Sequence, residues 1–240
     1  MLVSFTQTYG NERTELFDIA SKDKKLIELK NLCDVNIFSF HNCDDFVIEK
    51  FKEVNKVQNT HIIKYDFPHY TDCIIELKKY LRKIGCTHFL YMQDDVFSHI
   101  NVQLDSSEMV DYVKKHNEKF MLNLKYDSDN ADNRMLPDEI KKTFKVFYTK
   151  TDKLKNHLWA AMDDTPFFCT FDVIDEIYDD GYIKKQNIWD CEFYLQEKYS
   201  TEIINRYITD KSLFTNYNLY GRCIHQKDLF RISLKNKGFI

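Results

Sequence analysis

Glycine and proline are scarce, with 5 Gly and 3 Pro in 240 residues, so turns must be read from polarity instead. No G-x-x-x-x-G-K-[ST], G-x-G-x-x-G or G-x-S-x-G segment occurs, which removes the main support for P-loop, dinucleotide-binding and hydrolase-elbow readings. The seven cysteines (Cys33, Cys43, Cys73, Cys86, Cys169, Cys191 and Cys223) are odd in number and form no C-x-x-C pair. That disfavours a disulfide framework or a zinc cluster, and reduced, buried thiols are expected. No apolar run approaches the roughly 18–20 residues of a membrane span. The N-terminal Met1-Leu-Val-Ser-Phe-Thr-Gln7 lacks the basic region and small-residue cleavage site of a signal peptide, so a cytoplasmic protein is expected. Charge of one sign is also missing: 34 Lys+Arg against 38 Asp+Glu give -4, which provides no global basic field for nucleic acid or anionic membrane.

What is present is apolar surface. Hydrophobic residues make up 43% and aromatics 15%, enough for one core of generous size and a single domain over 1–240. Residues 2–6, 35–40, 61–65 and 88–92 read as strands. Between them, 13–30, 45–57 and 71–84 carry apolar residues at helical spacing, the last closed by Gly85. Strand and helix alternating in this way predict an α/β fold with a mostly parallel central sheet and helices on both faces. Beyond residue 105 the order loosens into a helix over 106–116, strands at 119–124 and 143–149, a polar loop over 125–140, and helices near 171–179 and 188–199. The first half (1–100) is expected to bind a nucleotide and the irregular half (101–240) to lay a substrate site against it.

The sharpest segment is Phe89-Leu-Tyr-Met-Gln-Asp94-Asp95-Val-Phe97, an apolar strand ending in two acids. In an open α/β sheet the ligand crevice lies at the carboxyl ends of the strands, so Asp94 and Asp95 fall where a ligand would be. Adjacent carboxylates there repel unless donors or a cation hold them, and hard oxygens suit Mg2+ or Mn2+. The bland alternative makes Asp94 a cap and Asp95 a solvated acid.

Gln93-Asp94-Asp95 resembles the x-Asp-Asp form of the D-x-D motif of GT-A glycosyltransferases. The resemblance implies a GT-A-like fold, with Asp95 as ligand to a divalent ion on the nucleotide-sugar diphosphate and Asp94 beside the ribose. Two further segments fit. Ser4-Phe-Thr6-Gln-Thr-Tyr9-Gly-Asn-Glu-Arg13 is similar to the opening strand and turn of that family, which gives Thr6, Tyr9 and Arg13 nucleotide contacts. Asn187-Ile-Trp189-Asp190-Cys-Glu192 resembles its late acidic motif, where a carboxylate takes the acceptor's proton. Asp190 and Glu192 diverge by about 200° on a helix, so only one can face a site, and Asp190 is favoured. A helix first turn enriched in acids is the alternative.

By the same resemblance His225 is a second metal ligand, Arg222 and Lys227 meet the diphosphate, and Trp159 and Trp189 offer aromatic faces to an acceptor sugar. The Trp159 segment, through Phe167 and Phe168, is read as a lining of that acceptor pocket. The chain's Lys-rich, Ala-poor composition looks like that of small glycosyltransferases of large DNA viruses or phages. The implied activity is metal-dependent transfer from a nucleotide-sugar, a UDP-sugar first, to a glycan or glycoprotein hydroxyl, with inversion. Three alternatives stay open: transfer to hydroxymethylated bases of viral DNA, a nucleotidyltransferase, and a non-catalytic nucleotide-sugar-binding module. For the first, Lys141, Lys142, Lys145, Lys150, Lys153 and Lys155 would supply a local basic stripe.

Overall fold

The computed structural model describes residues 1–66, 69–98, 105–124, 141–143, 146–149, 166–199, 205–209 and 214–216. It opens with β1 (Leu2–Tyr9), a 3-10 turn (Asn11–Arg13), α1 (Thr14–Ala20), α2 (Lys24–Asn31), β2 (Val35–His41), α3 (Asp45–Val54), β3 (Thr60–Tyr65), α4 (Tyr70–Lys83) and β4 (His88–Gln93). There follow β5 (Val96–Ser98), α5 (Ser106–Lys114), β6 (Phe120–Asn123), β7 (Lys141–Thr143), β8 (Val146–Thr149) and β9 (Phe167–Thr170). Then come α6 (Phe171–Ile177), α7 (Asp180–Ile183), α8 (Ile188–Tyr199), β10 (Asn205–Thr209) and β11 (Phe214–Asn216).

Nine strands form one sheet in the order β3-β2-β1-β4-β9-β6-β10-β8-β7, and β5 pairs with β11 in a separate ribbon. β3, β2, β1 and β4 are parallel neighbours, β9 runs antiparallel between β4 and β6, and β10 is parallel to β6. Only β9 and β8 oppose the common direction, so the α/β, mostly parallel expectation holds. The chain steps from β1 to β2 to β3 on one side, then returns to place β4 on the other side of β1. The carboxyl ends of β1 and β4 therefore flank the point where strand order reverses, the place where such sheets hold ligands. The two proposed halves share this one sheet.

Apolar residues cover both faces. Val3, Phe5, Phe89, Tyr91 and Cys169 pack beneath α4, α6 and α8 through Ile74, Leu77, Val173, Ile177 and Cys191. On the opposite face, Leu2, Leu90, Leu122 and Phe168 meet Leu26 and Leu29 of α2 and Val110 and Val113 of α5. Phe17, Phe38, Phe40 and Phe51 join α1 and α3 to β2. Gly85 ends α4 at φ 71°, with the Cys86 amide donating to Leu81 O at 3.0 Å, a left-handed termination that suits glycine.

Several local expectations are corrected. The helix expected over 13–30 is two helices, because Asp23 caps α2 by accepting the Leu26 amide at 3.1 Å. The Asn11 side chain ties the turn after β1 to the start of α3: its Nδ2 donates to Asp44 Oδ2 at 2.7 Å and its Oδ1 accepts from the Asp44 amide at 2.8 Å. Residues 143–149 do not form one strand, because β7 and β8 pair antiparallel there. Phe167 and Phe168 do not line an acceptor pocket: they lie in β9, 1% and 0% exposed, between β4 and β6. The six described cysteines are free and buried, and burial pushes the thiols of Cys33, Cys73 and Cys86 up to about 12. Among the described residues, no helix is long and apolar enough to cross a membrane.

Candidate active site

β4 carries Phe89, Leu90, Tyr91 and Met92 into the sheet as a fully buried strand, and the chain then turns at Asp94 and Asp95. The turn is pinned to the neighbouring strand, because the Asp94 amide donates to Gln7 O near the end of β1 at 3.1 Å. Both carboxyl side chains are buried, 3% and 2% exposed. Arg13, at the end of the 3-10 turn after β1, bonds Asp94 Oδ1 and stands 3.8 Å from Asp95 Oδ2. One guanidinium thus faces two buried carboxyls 81 and 82 residues downstream in sequence.

The electrostatics follow from that count. Burial raises the Asp94 carboxyl above its ordinary value, against the downward pull of Arg13 and of the Thr8 hydroxyl. Burial also opposes the Arg13 charge, but Asp94 and Asp95 outweigh it, and Arg13 is held more firmly protonated than usual. With both acids ionised the trio keeps an excess negative charge. Asp94 Oδ2 is buried with no hydrogen-bond partner among the described residues.

That donor set fits a hard divalent cation, which proteins commonly hold through one or two carboxylates with the remaining positions filled by phosphate oxygens and water. Among the described residues no three His, Cys, Asp or Glu side chains converge. Among the described residues, such an ion would meet the acid pair alone.

Beside this cluster, the strand ends carry a row of rings. Tyr9, His41 and Tyr65 stand in register on β1, β2 and β3. The Tyr9 and His41 rings stack at 6.1 Å, and His41 meets Tyr65 at 5.7 Å. Burial lowers the pKa of His41, so the middle ring is neutral near pH 7. Tyr9 is 58% exposed and offers its ring to solvent at the rim. Thr6, by contrast, lies one layer deeper and is buried, its hydroxyl taken by Lys30 Nζ at 2.7 Å.

Asp190 is exposed in the first turn of α8, where its amide donates to Asn187 Oδ1 at 2.9 Å and its Oδ2 accepts from Asn187 Nδ2 at 2.6 Å. This reciprocal cap gives Asp190 a structural part, the one that helix-start chemistry offers. Near the other end of α8, Lys198 donates to Glu176 O, and Glu176 pairs with Lys119 at the foot of β6. The first turn lies eight residues back from Lys198, about 12 Å along the helix axis.

The structure thus brings Arg13, Asp94 and Asp95 together, with Thr6 and Tyr9 on the same strand end. The side chains of Trp189 and Glu192, and Trp159, Arg222, His225 and Lys227 entirely, lie outside the described residues. Sequence reasoning missed Thr8, His41 and Lys30. Lys30 had a visible signal, since it adjoins the buried apolar positions Leu26 and Leu29 of α2, which Cys33 continues beyond the helix.

The sequence matches no protein-family model and no curated protein. Solved structures are similar in shape. HddC from Yersinia pseudotuberculosis is 11% identical, with 90% of this chain and 93% of that chain covered and a TM-score of 0.50. UDP-glucose pyrophosphorylase complexed with UDP-glucose is 9% identical, over 98% and 100% of the two chains, with a TM-score of 0.52. The 4-diphosphocytidyl-2C-methyl-D-erythritol synthase from Anaerococcus prevotii DSM 20548 is 10% identical over 98% and 97%, with a TM-score of 0.52. At these identities the likeness carries the fold, a GT-A-like α/β domain of the kind on which that pyrophosphorylase holds UDP-glucose.

Proposed function

We propose that this chain is a glycosyltransferase that binds a nucleoside diphosphate-sugar at the carboxyl ends of β1 and β4 and passes the sugar to an acceptor hydroxyl. The observation that carries this reading is the buried Asp94–Asp95 pair at the strand-order reversal, matched to Arg13. A base lies across the exposed ring of Tyr9 in this reading. Asp95, with Asp94 beside it and His225 from outside the described residues, would hold Mn2+ or Mg2+. When bound, that ion supplies positive charge to the diphosphate. Arg13, Arg222 and Lys227 add the chain's own charge to the leaving group.

The acceptor, a glycan or glycoprotein, lies against Trp159 and Trp189. Asp190, or Glu192 in its place, takes the proton from the acceptor hydroxyl as that oxygen attacks the anomeric carbon. The bond from the anomeric carbon to the diphosphate breaks, and its electron pair leaves with the nucleoside diphosphate. Attack from the opposite face inverts the centre.

A nucleotidyltransferase is the second reading, favoured by the names of two structural neighbours, a pyrophosphorylase and a 4-diphosphocytidyl synthase. Against it, the turn after β1 holds the single glycine Gly10 and runs straight into the 3-10 turn, where such enzymes carry a glycine-rich phosphate loop. Calorimetric titration with UDP, with and without Mn2+, on wild type and Asp95→Ala tests the donor site. Metal-dependent binding that disappears in the variant is expected, and binding indifferent to both would overturn the assignment. Release of UDP from a UDP-sugar then supports transfer, whereas pyrophosphate from UTP and a sugar 1-phosphate supports the second reading.

A further inference from the structure

The acid pair carries more charge than Arg13 can answer. Asp94 spends Oδ1 on Arg13, while its Oδ2 is buried and meets no hydrogen-bond donor among the described residues. A buried carboxylate oxygen left in that state is costly. A second buried cation has the converse problem. Lys30 of α2 is 4% exposed and makes one hydrogen bond among the described residues, to Thr6 Oγ1 at 2.7 Å. Its Nζ also stands 4.7 Å from the centre of the Phe38 ring. An ammonium carries three N–H donors, so donors are left over. The other buried lysine, Lys78, leaves none: it bonds Asp175 O at 3.0 Å and Tyr178 O at 2.7 Å, and pairs with Asp175 Oδ1 at 2.8 Å.

Both unmet groups open onto one cavity. Lys30, Thr6, Thr8 and Asp94 line it with the rings of Phe17 and Phe38, and it holds about 40 Å³. A water needs roughly 10–15 Å³ of such space and two to four polar partners, so about two or three waters fit. Thr8 stands beside Asp94 and Thr6 holds Lys30. Those two threonines are one repeat apart on the same face of β1, about 7 Å. Such a gap is too long for a direct hydrogen bond and suits water that accepts from Nζ and donates to Oδ2. The electrostatics agree. Burial lowers the Lys30 pKa to about 8, and Cys33, Asp23 and Asp94 oppose it. Asp23 is already committed to the Leu26 amide and to the amide and hydroxyl of Ser98. Of those three groups, only Asp94 lines the cavity.

We infer that Lys30 is the second counter-ion of the acid pair, joined to Asp94 through water in this cavity, and that its charge limits how tightly the pair takes a divalent cation. Arg13 and Lys30 together balance Asp94 and Asp95, so a cation binds against one fixed positive charge more than the acid cluster itself displays. Lys30 acts on the site through Asp94 and is a positioning residue. Its role toward the cation rests on the metal-dependent reading above; its link to Asp94 stands without it.

The test titrates the full chain with Mn2+ alone at pH 7 and follows the free ion by electron paramagnetic resonance. Wild type, Lys30→Met, Lys30→Gln and Lys56→Met are compared, with melting curves to show that each is folded. Lys30→Met and Lys30→Gln should each bind Mn2+ about fivefold more tightly, because both remove the charge. Lys56 is exposed at the rim of the same cavity, where solvent screens it, so Lys56→Met should match wild type. Damage to the site would weaken binding, so unchanged or weaker binding in the Lys30 variants overturns the inference. An equal gain in Lys56→Met overturns it too, as does wild-type affinity in Lys30→Gln, which keeps a donor for Thr6. A double-mutant cycle with Asp94→Asn, by urea denaturation, reads the link without metal, and Lys30→Gln serves there if Lys30→Met does not fold. Removing Lys30 should favour folding about fivefold more in the Asp94→Asn background than in wild type, and additive effects overturn the link. If wild type takes up no Mn2+, the metal reading falls, and the cycle alone decides whether Lys30 and Asp94 are joined.

Discussion

The two faces of β1 are equally dry and chemically opposite. Val3 and Phe5 point to one side, both fully buried, and join Ile37, Ile74, Leu77 and Phe89 in an all-apolar cluster. Ser4, Thr6 and Thr8 point to the other and are also buried, yet each meets a polar group. Ser4 bonds the Asn36 side chain, whose amide donates to Lys30 O at 3.0 Å and Gln58 O at 2.9 Å. Thr6 holds Lys30, and Thr8 stands beside Asp94. Moving toward the carboxyl edge, this face passes from Leu2 among leucines to Arg13 between two acids. Burial therefore does not separate scaffold from site in this molecule; the difference is that one face gains from excluding water in any arrangement, while the other needs particular partners at particular distances.

That contrast can be broken from either side. Phe89→Ala should have the largest effect, a loss of about 3–5 kcal/mol by urea denaturation, from the cavity left under α4. Because the cavity opens on the apolar face, Mn2+-dependent binding of UDP should not move.

Arg13→Ala attacks the polar face. Removing the cation from two buried carboxyls should cost roughly 3 kcal/mol at pH 7. The deficit should shrink at pH 5. Burial already raises Asp94, and without Arg13 the folded state binds protons more readily than the unfolded chain, so stability falls as pH rises. A deficit that is the same at both pH values would mean that the carboxyls are solvated in solution.

Lys30→Met should act least, and with the opposite sign. Burial lowers the Lys30 pKa to about 8, so the cost of hiding the cation is fully present below pH 8 and is relieved as pH rises toward 10.5, where the unfolded lysine also deprotonates. The variant should be more stable than wild type by about 1 kcal/mol at pH 7, net of the lost Thr6 bond, and should lose that advantage by pH 10. Urea denaturation at the two pH values checks it.

The apolar face was readable from the sequence because it repeats. Apolar spacing along α3, α4 and α8 and the dense strand before Asp94 carry enough residues for period to speak. β9 was not readable: Phe167-Phe-Cys-Thr170 is four residues long, too short to tell a strand from a buried helix turn. It earns its place only by pairing with β4 and β6, which lie some 80 and 50 residues upstream. β10 and β11 were missed for the same reason. At the site, the acid pair stood out as an interruption of a strand, but its partner Arg13 is brought there by the parallel pairing of β1 with β4, which no local pattern encodes. Lys30 left a local trace, a charge beside buried apolar positions, and its meaning depended on what Thr6 and Phe38 place around it.

The pinning of the acid turn has a consequence for how this segment can vary. Upstream, the Asp94 amide is tied to Gln7; downstream, the Ser98 amide and hydroxyl are tied to Asp23 at 2.7 and 2.6 Å. Three residues, Asp95, Val96 and Phe97, separate the two anchors, and the span works as a ruler. Exchanging Val96 or Phe97 for another apolar residue keeps its length, while one insertion or deletion throws Ser98 off Asp23 and turns β5 over against β11. Along related sequences this stretch should therefore drift in identity and hold its length.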